Sequence, residues 1–304
     1  MLMVIYNTEA QYNNRAKQWM FGFGNGLDFT TTPPTPVSSQ CNNYEATASI
    51  SDANGNLLFY CDNEFVWNRN HTQMPNGFGL YNTASSTMGA LITPFINDPD
   101  KYYIFQVDGS SCPSTGQCGP MGKWDGLMYH VVDMTLDGGN GDVVPGMKNI
   151  ILADSMSEKL TAVMHENGKD YWIISRKAFV SEYYCYLVTD SGICPNPVIS
   201  STGQIYGATT GALVPSHDGK ALANAEFGGI PQLGDFNATT GEVSNMRNIS
   251  NSVRNYYYAA FSPNDSILYL SHSSSQPVTV FQYKRHSTYI PSTELSIGGM
   301  GAWG

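Results

Sequence analysis

The chemistry-bearing side chains are few and scattered. Six histidines (His71, His130, His165, His217, His272 and His286) occur singly. None has a partner at metal-ligand spacing, and no nucleophile elbow sets a Ser or Cys for them to activate. The acidic residues Asp52, Glu166, Asp218 and Asp265 fall at predicted turns. That placement suits capping and solvation better than the paired carboxylates of glycoside hydrolysis. The string DANGN at 52–56 opens like a calcium loop, but lacks the distal Glu such a loop requires, so it reads as a hairpin turn. The expectation is no catalytic residue, no metal and no cofactor.

Aromatic pairs offer the better binding hint. Tyr102 and Tyr103, Tyr171 and Trp172, Tyr183 and Tyr184 with Tyr186, and the run Tyr256, Tyr257, Tyr258 present flat amphipathic rings of the kind that stack on sugars. Strand alternation sends half of them into a core. The segment around Trp124 is the preferred ligand loop, because loops on a rigid scaffold carry function disproportionately. Trp124, Tyr102 and Tyr103 are therefore the candidate ligand residues. Cys112 and Cys118 bracket a Pro/Ser/Gly loop, while Cys185 and Cys194 flank the turn Asp190-Ser191-Gly192. Both pairs are candidate disulfides of an oxidising compartment. Cys41 and Cys61 receive no pairing.

The elements that must position these groups are strands. Of 304 residues, 41% are apolar, 12% aromatic and only 13% charged, with 30 Gly and 16 Pro. This is a turn-rich β composition, not that of a disordered tail or a helical array. The formal charge of −10 argues against nucleic acid and against docking on anionic lipid. No apolar run approaches the ~18 residues of a membrane span, and no signal peptide is recognisable at the start.

Internal repetition is the strongest signal. Apolar runs flank polar turns centred near residues 54, 98, 167, 218 and 264. A beat of ~40–50 residues with several strands per unit is the signature of propeller blades. A second hairpin follows each of the later turns, through 127–134, 183–189, 232–236 and 278–283. The fold class expected is therefore all-β, a β-propeller of four-stranded blades. About five full blades are read, with residues 1–18 as an extension, 19–304 as the propeller, and 109–124 as a loop insertion. The 19–29 segment is expected to close the ring, and 298–304 to begin a further blade.

Several strings resemble a known family: WMFGFGNGLDF at 19–29, EATASISDANGNLLFY at 45–60, VWNRNH at 66–71, YHVVDMTLDGG at 129–139, SEKLTAV at 157–163 and DYWIIS at 170–175. They are similar to the N-terminal WD40-like propeller of large Bacteroidetes surface proteins associated with gliding motility and type IX secretion sorting domains. The resemblance implies a seven- or eight-bladed ring on an exported protein, without a catalytic set. Asp154-Ser155-Met156 and Asp265-Ser266-Ile267 fit the Asp-Ser/Thr-apolar pattern of O-glycosylation in that group, which makes Ser155 and Ser266 candidate sites. The functional expectation is a non-enzymatic, cell-surface or extracellular module for binding, adhesion or assembly, with a glycan or protein ligand. Self-association of a filament or virion subunit through open blade edges is the alternative, and a propeller glycosidase or lyase the third reading.

Overall fold

The computed structural model describes residues 14–109, 126–273 and 278–300. Trp124, Cys112 and Cys118 lie outside those residues. The chain divides into two compact units, one of Met1–Met156 with Thr189–Gly192, the other of Ser157–Val188 with Ile193–Gly304. Each is described by itself.

The fold is all-β, of the β-propeller class, and its sheets follow one another along the chain. Strands β1 (Gln18–Phe21), β2 (Phe23–Asp28) and β3 (Thr35–Asn42) form a three-stranded sheet of their own. The expected closing segment is thus a separate sheet, because β2 pairs with β1 on one side and β3 on the other. Next come β4 (Ala48–Ser51), β5 (Leu57–Cys61), β6 (Phe65–Asn68) and β7 (Gln73–Phe78), paired in that order. The third sheet holds β8 (Ala90–Pro94), β9 (Lys101–Val107), β10 (Leu127–Asp133), β11 (Asp142–Val143) and β12 (Ile150–Ala153). The fourth holds β13 (Met156–Met164), β14 (Tyr171–Lys177), β15 (Glu182–Thr189), β16 (Gly192–Ile193) and β17 (Val198–Ser201).

Strands β18 (Leu213–Pro215) and β19 (Ala221–Asn224) open the fifth sheet, and β20 (Phe227–Gly229) leaves it to pair with the sixth. The fifth is completed by β21 (Gln232–Asn237) and β22 (Glu242–Asn248). The sixth adds β23 (Arg254–Phe261), β24 (Ile267–His272), β25 (Val278–Lys284) and β26 (Leu295–Met300). The C-terminal segment expected to begin a new blade is therefore an outer strand, since β26 runs antiparallel to β25 with Phe281 opposite Ser296. The described residues include two short 3-10 turns, and among them no helix is long and apolar enough to cross a membrane.

One local device makes all five first hairpins. Asp52, Asp98, Asn167, Asp218 and Asn264 each accept, through a side-chain oxygen, the backbone N–H two residues on. Asx side chains favour turns for this reason. Four of these turns carry one left-handed residue: Gly55, Gly168, Gly219 and Asp265.

The first-named unit packs Ile50, Phe59, Val66, Met74, Ile92, Ile104 and Val132 into its main core. In the other unit Trp172, Ile174, Leu213, Leu222 and Phe236 form one cluster, and Ala223, Tyr256, Leu268, Leu270 and Tyr283 belong to another. Burial of each large apolar side chain contributes about 1.5–3 kcal/mol. Tight first strands explain the small residues there. At Gly89 a Cβ would stand 2.5 Å from that of Ala46, so no larger residue fits.

Candidate functional site

Strand β13 is buried from Met156 to Val163, although SEKLTAV contains two charged residues. A half-exposed strand would send such residues to water by alternation; here both faces are covered and the charges stay inside. Lys159 is fully buried, and its ammonium donates to the carbonyls of Ala225 at 2.7 Å, Gly211 at 2.9 Å and Thr210 at 3.4 Å. Glu226 Oε2 lies 3.3 Å from the same nitrogen, and both side chains are all but fully enclosed.

Arg176, near the end of β14, is 1% exposed. Its Nη2 donates to Gln204 O at 2.7 Å. The guanidinium lies 4.8 Å from the ring centre of Tyr206 and 5.9 Å from that of Tyr183. Its Nε and Nη1 make no hydrogen bond with the described residues, and neither do Glu226 Oε1 and Asn224 Oδ1. Asn224 Nδ2 donates to Glu226 Oε2 at 3.4 Å, and Thr210 Oγ1 donates to Glu158 Oε1 at 3.2 Å. Buried polar groups are nearly always bonded, so several open donors and acceptors in one cluster set it apart.

Burial raises the Glu226 carboxyl above its ordinary value, with Lys159 and Arg176 pulling the other way. Burial also lowers the Lys159 ammonium, against the attraction of Glu226. The Tyr183 hydroxyl is pushed up to about 12 by desolvation. A carboxylate with a free oxygen, made more basic by burial, beside a guanidinium with two free N–H groups, can take a proton from water and stabilise a developing oxyanion.

A second constellation has the residue types of a triad without its geometry. His217 Nδ1 lies 2.7 Å from Asp265 Oδ1, while Ser216 Oγ donates to Asp218 Oδ1 at 2.6 Å and accepts from Ala221 N. Asp265 also accepts from the backbone N–H groups of His217 and Asp218, and Arg285 lies 3.3 Å from Asp218 and 3.7 Å from Asp265. The serine is held by its own turn, and the group latches one hairpin to the next.

The residues singled out in the sequence fall elsewhere. Tyr102 and Tyr103 are 2% and 4% exposed. Tyr102 accepts from Arg15 at 3.0 Å, and Tyr103 stacks on Phe95 at 4.0 Å. They are core residues, because β9 is covered on both faces. Trp124 lies outside the described residues. Cys185 and Cys194 are free thiols. The register explains this, since Cys185 stands opposite Val198 while Cys194 bonds back to Leu187. Cys41 and Cys61 are likewise free and buried. Ser155 sits at a left-handed turn position and Ser266 is bonded to Asn264 at 2.7 Å. Asp52 forms a hairpin turn, accepting from the backbone N–H groups of Asn54 and Asn56. Among the described residues no group of His, Cys, Asp and Glu could hold a metal ion. Sequence reasoning passed over Lys159, Arg176 and Glu226. The available signal was charge inside otherwise apolar strand strings, in a chain with little charge to spend.

No family model matches the chain, and no curated protein matches it. Solved structures do. The periplasmic gluconolactonase of Pseudomonas aeruginosa aligns with TM-score 0.52 at 9% identity, covering 91% of this chain and 77% of its own. The Cps50 (Swd1) β-propeller domain of Myceliophteria thermophila aligns with TM-score 0.49 at 7% identity, covering 94% of this chain and 89% of its own. A Bacteroides fragilis protein provisionally named 6-phosphogluconolactonase aligns with TM-score 0.45 at 13% identity, covering 93% of each chain. At these identities the likeness is one of fold.

The expectation of a non-enzymatic module is corrected by this finding. It rested on the absence of a linear catalytic motif, whereas the solved structures that this chain resembles in fold include one named as a gluconolactonase. A propeller site is assembled from several strands, which a motif search along one strand does not see.

Proposed function

We propose that the chain is a lactonase-type hydrolase working at the Arg176–Glu226 cluster. The observation that carries this reading is the set of buried, unbonded groups: Glu226 Oε1 with Arg176 Nε and Nη1. The name of the Pseudomonas aeruginosa neighbour, a gluconolactonase, supports the choice of reaction class. In the proposed step Glu226 takes a proton from water, and the water oxygen bonds to the lactone carbonyl carbon. Arg176 donates to the oxyanion that forms. The carbonyl is restored as the ring C–O bond breaks, and the proton passes to the departing ring oxygen, leaving a hydroxy acid. Lys159 holds Glu226 in place through its ion pair. Entry of substrate requires the 202–210 segment to lift, since Gln204 and Tyr206 lie against Arg176.

The test is hydrolysis of aldonolactones, phosphorylated and plain, followed in a pH-stat against the spontaneous rate. Turnover is expected, with Glu226→Gln and Arg176→Met each lowering kcat by roughly 10²-fold or more while the fold is retained. No turnover above the spontaneous rate across the panel, or unchanged turnover in Glu226→Gln, overturns the reading. An extracellular or cell-surface setting is part of the same proposal. It is supported by the strings at 19–29 and 129–139 and is tested by fractionation of the native host.

A further inference from the structure

The Lys159 ammonium sits in a shell made wholly of oxygens. Its neighbours are Ala225 O at 2.7 Å, Gly211 O at 2.9 Å, Thr210 O at 3.4 Å and Glu226 Oε2 at 3.3 Å. Backbone carbonyls with a single carboxylate are the ligand chemistry by which proteins hold hard cations. The backbone is shaped for the purpose. Gly211 has φ +119°, and a Cβ there would stand 2.5 Å from Ala225 O and 3.2 Å from Lys159 Nζ. Only glycine lets the two carbonyl-bearing segments close this tightly round a charge.

The three carbonyls face inward and have the ammonium as a shared donor. Around them stand Glu226 and Glu158 as negative charges and Arg176 as a positive one. With one carboxylate in direct contact, a single positive charge is the occupant that balances the shell.

We propose that these four oxygens form a monovalent-cation site in their own right, filled by Lys159 as a tethered ammonium. Cutting back the side chain leaves a site for a free ammonium, methylammonium or potassium ion. Tethering makes the charge beside Glu226 permanent, whatever ions the medium supplies. The proposal rests on the oxygen shell and not on the hydrolytic reading, so a failure of one leaves the other standing.

Thermal unfolding of Lys159→Ala in matched concentrations of ammonium, methylammonium, potassium and tetramethylammonium chloride tests it. The variant is expected to melt roughly 5–10 °C below the unsubstituted protein. It should recover several degrees in the first three salts but not in tetramethylammonium, which is too large. The unsubstituted protein should respond alike to all four. Lys159→Met, which fills the stem channel, should be rescued by none. Equal melting of Lys159→Ala in every salt, or equal rescue of the Met variant, overturns the proposal. Should Lys159→Ala fail to fold, the unsubstituted protein carries the test. Nitrogen-15 lysine NMR should show Lys159 as an ammonium slow to exchange with water at pH 7, and a neutral amine there would sink the idea.

Discussion

Two buried polar groups, each with a member near the end of its sheet's second strand (Gln106 in β9, Arg176 in β14), differ in how completely they are bonded. In the first-named unit, His130 Nδ1 accepts from Asn149 N at 3.0 Å, and its Nε2–H donates to Gln106 Oε1 at 3.0 Å. Gln106 Nε2 passes the chain on to Asp62 O at 2.9 Å, and Asn149 is bonded to Gly79 O and Tyr81 N. The Asp62 carboxylate accepts from Glu64 N and Phe65 N, each at 2.9 Å. In the other unit, Arg176, Asn224 and Glu226 keep open donors and acceptors. The first group, built round a neutral imidazole, is saturated, so it fixes a fold. The second is charged and unsaturated, so its cost has to be justified by something besides stability. Burial alone therefore does not mark a site, whereas burial with bonds left open does.

The largest expected effect breaks the charged side of this contrast. Glu226→Ala leaves the Lys159 ammonium enclosed without its carboxylate, and removing one member of a buried pair costs about 3–5 kcal/mol. Urea unfolding should show that loss, while Glu226→Gln, which keeps the shape and one acceptor oxygen, should lose clearly less. Equal losses in the two variants would mean that the ion pair contributes no more than the volume it fills.

The neutral side is sharpened by pH. Burial pushes His130 down to about 3, from an ordinary value of 6.5. Folding therefore favours the neutral ring. The stability that this gives is present above pH 6.5 and is lost as the pH falls towards 3. The linked loss is about 1.4 kcal/mol for each pH unit below 6.5. His130→Gln, which takes up no proton, should flatten that part of the acid profile and leave any lactone hydrolysis unchanged. An acid profile that is the same in both proteins would remove His130 from the account.

The smallest effect concerns the hairpin latch. His217 is 28% exposed beside Asp265, and partly exposed polar contacts of this kind contribute about 0–1 kcal/mol. His217→Ala should lower stability within that range by urea unfolding and leave hydrolysis untouched. A large drop in turnover would revive the triad that the geometry denies.

What was legible in the sequence was short-range. The hairpin turns at Asp52, Asp98, Asn167, Asp218 and Asn264 could be read because an Asx side chain bonds its own backbone two residues on, whatever lies around it. The pairing of Cys185 with Cys194 was misread because symmetry about a turn does not fix register. The ladder sets Val198, four residues beyond Cys194, opposite Cys185 instead. Alternation predicted that half of the paired aromatics would be core; Tyr171 and Trp172 are both buried, since the strand that carries them is covered on both faces.

The sequence by itself determined the β class, the beat of the hairpins and the turn chemistry, all consequences of contacts within a few residues. Only the tertiary structure decided the site. Lys159, Arg176 and Glu226 stand far apart along the chain. Their charges acquire meaning only where sheet packing excludes water, brings three backbone carbonyls to one ammonium, and leaves a guanidinium and a carboxylate with bonds still to make.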